Sequence, residues 1–231
     1  MKLLLTCEHG GNHIPIEYES YFNKHQSVLN THRGYDIGSL DVFNSLKTLA
    51  YYSKYSTTSR LLVELNRSLH HQYLFSEFSK PITHIEKQNI INNHYLKYRN
   101  EIESFVKSLT DKKDKIIHIS VHSFTPFLNG NKRNCDIGLL YDPKRKEEKN
   151  FCKTLKYKIQ ASNPSIKVRY NYPYLGKSDG FTTYLRKQFS EENYLGIELE
   201  INQKLSTDNK MDATLKNILF NALNMTIKSY F

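Results

Sequence analysis

Cysteine is scarce in this chain, and the three present, Cys7, Cys135 and Cys152, are odd in number and widely spaced. Neither a paired disulfide framework nor a Cys-x-x-Cys zinc site is available, so sulfur is not the organising chemistry. Long apolar runs are missing too. Crossing a bilayer takes roughly 18 or more consecutive apolar residues, and stretches such as Leu3-Leu4-Leu5 stop after a few. The opening Met1–Cys7 is too short for the core of a signal peptide and soon meets Glu8 and His9. The expectation is a cytoplasmic protein with no membrane partner. Repeats, low-complexity tracts and linkers are absent, which points to a single domain over residues 1–231. With 39% hydrophobic and 24% charged residues, the composition excludes a disordered or collagenous chain.

Acidic residues are outnumbered, 23 Asp plus Glu against 33 Lys plus Arg, for a net charge of +10. A basic surface can neutralise phosphates, which keeps a nucleic-acid-binding module as a reading from another class. That reading needs clustering. The densest groups, Asp111–Lys115 and Lys144–Lys149, both contain acids and read as solvated faces. No recognition-helix or aromatic RNA-binding signature accompanies them, so nucleic acid is not the expected partner. The same field suits a small anionic substrate.

What is present is an alternation of strand and helix periodicities, the pattern of an α/β sheet with crossover helices. Leu3–Thr6 reads as a buried strand ending at Gly10-Gly11, where the glycines allow a tight turn or close backbone approach. Residues 37–49 have helical spacing, Arg60–Leu65 is a second strand candidate, and Ile91, Tyr95, Tyr98, Ile102, Phe105 and Leu109 form an amphipathic helix. Strand candidates follow at 115–121, 136–141, 166–170 and 194–201. Helical spacing occurs at Phe151, Leu155 and Ile159, and again from Met211 to Leu223.

Several strands end in residues a core rejects: Glu8-His9 after the first, His122-Ser123 at the central one, and Glu198 and Glu200 in the last. Buried polar groups without partners cost roughly 1 to 3 kcal/mol each, so a sheet that carries them is normally using them. The carboxyl ends of strands are also where open α/β sheets bind ligands. If these strands are parallel neighbours, His9, His122 and a Glu converge on one rim. A strand-end histidine taken singly is more often structural. Two imidazoles with one carboxylate, however, are the ligand set of a catalytic zinc. No His-Glu-x-x-His helix exists, so the sheet itself would assemble such a site. Asn66-Arg67 is suited to grip a substrate's carboxylate, unless the arginine only pairs with Glu64. The turn-rich stretch 171–180 is expected to cover the site or to be an ordinary connection, with Asp179 capping the following helix. His13 and His32 lie close to the proposed site in sequence. His25, His70, His71, His84, His94 and His118 read as structural or surface groups.

These pieces, together with Tyr35-Asp36-Ile37-Gly38, Val121–Pro126 and Asp136–Asp142, occur in an order that resembles the N-formylglutamate amidohydrolase family. That family sits within the wider zinc carboxypeptidase and aspartoacylase group. The resemblance implies a three-layer α/β sandwich with a mixed, mainly parallel sheet (phosphorylase/hydrolase-like). It also implies zinc-dependent hydrolysis of the amide of an N-acylated amino acid such as N-formyl-L-glutamate. His122 then corresponds to the zinc histidine of a His-Ser-Tyr segment and His9 to the first zinc histidine. The usual glutamate three residues on is Asn12 here; the resemblance points instead to Asp36, since the Asp-x-Gly segment recurs in the family pattern, with Glu8 as the substitute. Glu64-Leu65-Asn66-Arg67 resembles the Asp-Leu-Asn-Arg that takes the substrate carboxylate; Asn66, Arg67, Arg60 and Asn12 are thus substrate-binding candidates. Glu200 corresponds to the catalytic glutamate, with Glu198 on the same strand face. A zinc metallopeptidase or peptidoglycan-type amidase of the same fold is the alternative enzyme.

Overall fold

Side chains alternate across a strand, and here the alternation sorts them into two cores. The computed structural model describes residues 1–230. In chain order its main elements are β1 (Lys2–Cys7), α1 (Ser39–Leu46), β2 (Tyr52–Tyr55), α2 (Lys97–Thr110), β3 (Ile116–Phe124), β4 (Ile137–Leu140), α3 (Lys146–Ser162), β5 (Val168–Tyr170), α4 (Phe181–Gln188), β6 (Tyr194–Asn202) and α5 (Ala213–Lys228). Leu3 and Leu5 of β1, Ile117, Ile119 and Val121 of β3, and Leu195, Ile197 and Leu199 of β6 share one buried cluster with residues of α1, α3 and α5. On the opposite face Leu4, Ile116 and Tyr194 join residues of α2 and α4 in a second cluster. The result is a three-layer α/β sandwich.

The six strands run in the order β2-β1-β3-β6-β4-β5. The first four are mutually parallel, β4 is antiparallel to β6, and β5 is parallel to β4. The sheet is therefore mixed and mainly parallel, and β1, β3 and β6 are indeed parallel neighbours. Thr6 stands beside Ser120, Ser120 beside Glu198, and His122 beside Glu200. No helix among the described residues is long and apolar enough to cross a membrane.

Two expectations need correction. Arg60–Leu65 is a run of turns and irregular backbone, and the second strand is Tyr52–Tyr55. The apolar run misled because Leu61, Leu62, Val63 and Leu65 are all buried in the second core although Glu64 N bonds to Leu74 O and no ladder forms. β2 is a half-buried edge strand with no apolar run to announce it. Gly10 and Gly11 are not in the left-handed region; they serve close approach, since a Cβ on either would lie 2.9 Å from the backbone of Ser56 or Thr57. The amphipathic helix at 91–109 is the C-terminal part of a longer one. Helical backbone starts at His84 and reaches Thr110 through a π-helical segment, Ile91–Leu96.

Candidate active site

Along the face of the sheet that carries Leu4 and Ile116, apolar residues give way toward the strand ends to His118, Ser120, His122, Glu198 and Glu200. His118 is fully satisfied, with one ring nitrogen 2.7 Å from the Thr6 hydroxyl and the other 2.7 Å from that of Tyr194. Burial pushes its pKa down to about 4, so it is a neutral structural group.

Two residues further on, His122 places Nδ1 2.9 Å from Asp36 Oδ2 and Nε2 2.8 Å from Ser120 Oγ and 3.3 Å from Glu8 Oε2. His9, in the turn after β1, places Nδ1 3.3 Å from the same Asp36 oxygen and Nε2 against Glu64 Oε1. Asp36 is fixed just ahead of α1: its backbone N–H donates to His9 O, and the Ser39 hydroxyl donates to its carbonyl. Ligand atoms of His9, Asp36 and His122 lie within 4.8 Å of one another, and the two imidazole rings are 5.1 Å apart. Each imidazole thus has one nitrogen toward Asp36 and the other toward a second acid. Such second acids orient and strengthen histidine ligands.

The electrostatics agree with that donor set. Burial alone would protonate Asp36, but His9, His122 and Arg60 outweigh it and hold the carboxyl well below the usual range. Burial would strip the proton from His122; Asp36 and Glu8 reverse this and raise its pKa well above normal. Asp36, Glu8 and Glu64 are all held ionised around the two imidazoles, and a divalent cation that displaced the imidazole protons would find its donors already in place.

Around it lies a cavity of about 220 Å³, lined by His9, Asp36, Arg60, Asn66, Arg67, His122, Ser123, Tyr174, Ser178, Asp179, Glu198 and Glu200. Glu200 is 5% exposed, and its Oε2 has no hydrogen-bond partner among the described residues. Burial, with help from Asp36 and Glu198, raises its pKa to about 8. Glu198 accepts a bond from the Thr182 hydroxyl at 3.0 Å. Arg60 is occupied: it donates to Asp36 Oδ1 at 3.0 Å and to Glu64 Oε2 at 2.6 and 2.9 Å. Asn66 Oδ1 accepts the Phe181 N–H at 2.7 Å, and Arg67 donates to the carbonyl of Asp179.

Most of the residues singled out in the sequence are therefore brought together, including three from the loop 171–180. Glu8 stands behind His122, fully buried, holding Ser120 and Tyr98 and lining no part of the cavity. Asn12 is also outside the lining, donating instead to Asn30 Oδ1 at 2.8 Å and Leu29 O at 3.2 Å. His13 and His32 are exposed. Asp179 does not cap α4; it takes the N–H and hydroxyl of Ser68, and Asn66 supplies the acceptor at that helix start. Glu64 and Ser120 were missed as site residues, and Tyr174 was included only as part of the loop 171–180. Ser120 carried a usable signal, being two residues before His122 and hence on its strand face; for Tyr174 the signal was the turn-rich loop as a whole, not the residue.

The family model for N-formylglutamate amidohydrolase (FGase) matches residues 1–207. No curated protein matches the sequence. Among solved structures, a gene product of Agrobacterium tumefaciens superposes with a TM-score of 0.80 at 23% identity, over 99% of this chain and 91% of that one. An N-formylglutamate amidohydrolase from Ralstonia eutropha superposes at 0.73 with 15% identity, over 99% and 93%. Those likenesses speak for the fold. The match over most of the sequence decides the kinship: the chain belongs to the N-formylglutamate amidohydrolase family.

Proposed function

We propose that this protein is a metal-dependent amidohydrolase that removes the acyl group from an N-acylated amino acid, with N-formyl-L-glutamate the first substrate to test. The observation that supports it most is the His9–Asp36–His122 cluster beside a buried glutamate with a free oxygen. His9, His122 and Asp36 would hold the ion, and Glu8 and Glu64 would orient the two imidazoles. A divalent ion, zinc by the family resemblance, supplies Lewis-acid polarisation of the acyl oxygen and acidifies water beside it.

The remaining work falls to the chain's own residues. Glu200, with Oε2 unpaired, takes a proton from the attacking water and returns it to the departing amine as the C–N bond breaks. Glu198, on the same face, is the substitute for that role. The products are the free carboxylic acid and the amino acid. Arg67 and the Asn66 amide N–H bind the substrate's α-carboxylate through charge-assisted hydrogen bonds. Arg60, already shared between Asp36 and Glu64, fits the task of fixing those two acids.

The test pairs elemental analysis of the purified protein with assays of formate and amino acid released from N-formyl-L-glutamate. Equimolar release, abolished by a chelator and restored by zinc, is the expected result. Metal-loaded protein that cleaves no N-acyl amino acid but trims peptides or peptidoglycan fragments would replace this reading with the metallopeptidase one.

A further inference from the structure

Arg99 of α2 is 4% exposed, yet among the described residues it makes no ion pair. Only Nη1 is engaged, donating to Leu65 O at 2.9 Å and Arg67 O at 3.2 Å. The guanidinium is otherwise enclosed by aromatic faces, 4.3 Å from the ring centre of Phe181, 4.8 Å from Tyr184 and 4.9 Å from Tyr95. Arg186, equally buried, sits on Glu148 at 2.9 Å, which shows what this fold does with a buried cation when an acid is at hand. A buried charge without its counter-charge is costly. Glu103, one helical turn along α2, does not meet the need: it accepts the Tyr184 hydroxyl at 2.9 Å instead.

A cavity of about 220 Å³ opens against these two residues. Its wall includes Arg99 and Glu103 with the apolar surfaces of Leu69, Tyr95, Leu96 and Tyr184, and it shares no lining residue with the catalytic cavity. The π-helical segment contributes to this: it carries Tyr95, whose hydroxyl donates to Arg67 O at 2.6 Å and closes the inner wall. One cation and one anion, unpaired with each other, thus stand on one wall of a mostly apolar pocket. A ligand with a carboxylate alone would face Glu103, and one with an ammonium alone would face Arg99. A zwitterion satisfies both.

We propose that this cavity binds a free α-amino acid with an apolar or aromatic side chain, its carboxylate on Arg99, its ammonium toward Glu103 and its side chain among Leu69, Leu96 and the two tyrosine rings. The site is separate from the amide-cleaving one and does not depend on its assignment.

Isothermal titration calorimetry of the full chain tests this with L-phenylalanine, 3-phenylpropionate, which lacks the ammonium, and phenethylamine, which lacks the carboxylate. The expected result is one phenylalanine per chain, with both analogues at least tenfold weaker. Glu103→Gln, which keeps an acceptor for Tyr184, and Leu69→Trp, at a half-exposed position on the pocket wall, should each weaken phenylalanine at least tenfold without lowering the melting temperature. No binding, equal affinity for 3-phenylpropionate, or phenylalanine affinity unchanged in both variants would overturn the proposal. Because binding is read without turnover, a protein that binds but cleaves no amide counts against the amidohydrolase reading alone, and one that cleaves but does not bind counts against this site alone.

Discussion

Glu200 and Glu198 occupy the same strand face two residues apart, yet only Glu200 has an unpaired buried oxygen. If that oxygen is the base, Glu200→Gln should lower kcat by roughly 10² to 10⁴-fold while metal content, measured on the same preparation, stays stoichiometric. Loss of metal would instead make Glu200 a ligand. Arg67 should behave differently if, as proposed, it grips the substrate's carboxylate, a group that takes no part in the bond broken. Arg67→Met is expected to raise KM by about ten- to a hundredfold, the equivalent of one charged hydrogen bond, with a smaller change in kcat. His118 is a stability residue with a pH signature. The unfolded chain protonates an imidazole near 6.5, whereas burial in the fold delays protonation to about 4. Between those values the unfolded state holds the extra proton, so stability rises with pH and falls on acidification. By pH 5 the loss amounts to about 2 kcal/mol. Urea unfolding at pH 7 and pH 5 should therefore show a difference that is smaller by about that amount in His118→Gln.

Among the elements, the irregular segment from Arg60 to Arg67 takes its shape from contacts with others. Arg99 and Tyr95 fasten its carbonyls from α2 and the π-helical turn, and Asn66 fastens it to the first N–H of α4. In the proposed reading Asn66 has two jobs on its two amide atoms, Oδ1 holding the helix start and Nδ2 meeting the substrate. Asn66→Ala should cost roughly 0.5 to 2 kcal/mol, as loss of a helix-cap acceptor does, and also weaken substrate binding. Asn66→Asp keeps the acceptor and should retain the melting temperature while still raising KM. Thermal melts and initial-rate kinetics on both variants separate the two functions; equal destabilisation would show that the Phe181 bond is not what the side chain contributes.

For the molecule as a whole, one buried ion pair ties the layers together. Glu148 of α3 receives Arg186 of α4 at 2.9 Å and the Gly196 N–H of β6 at 2.9 Å, and Arg186 also donates to Gly196 O and Gly176 O at 2.6 Å. Arg186→Met leaves a fully buried carboxylate without its cation and should cost roughly 3 to 5 kcal/mol. In a chain of this length that lowers Tm by roughly 6 to 20 °C, measurable by calorimetry. β1, β3 and β6 could be read in advance because their burial follows from strand alternation and short apolar runs. The run at Arg60–Leu65 has the same composition, but tertiary wrapping, not a ladder, buries it. His9, Asp36 and His122 were legible through family likeness and strand-end polarity. Glu64 depends on which side chain a ring nitrogen faces, which spacing does not encode; Ser120 was within reach of strand parity, and Tyr174 depends on the path of a loop.

Along β3 the apolar layer holds Ile117, Ile119 and Val121, while the cavity side holds His118, Ser120 and His122. Parity therefore governs both at once: inserting a single codon in this strand would turn valine into the cleft and imidazole into the oily layer beneath it. Lengthening tolerated here, by evolution or by engineering, must come in pairs of residues.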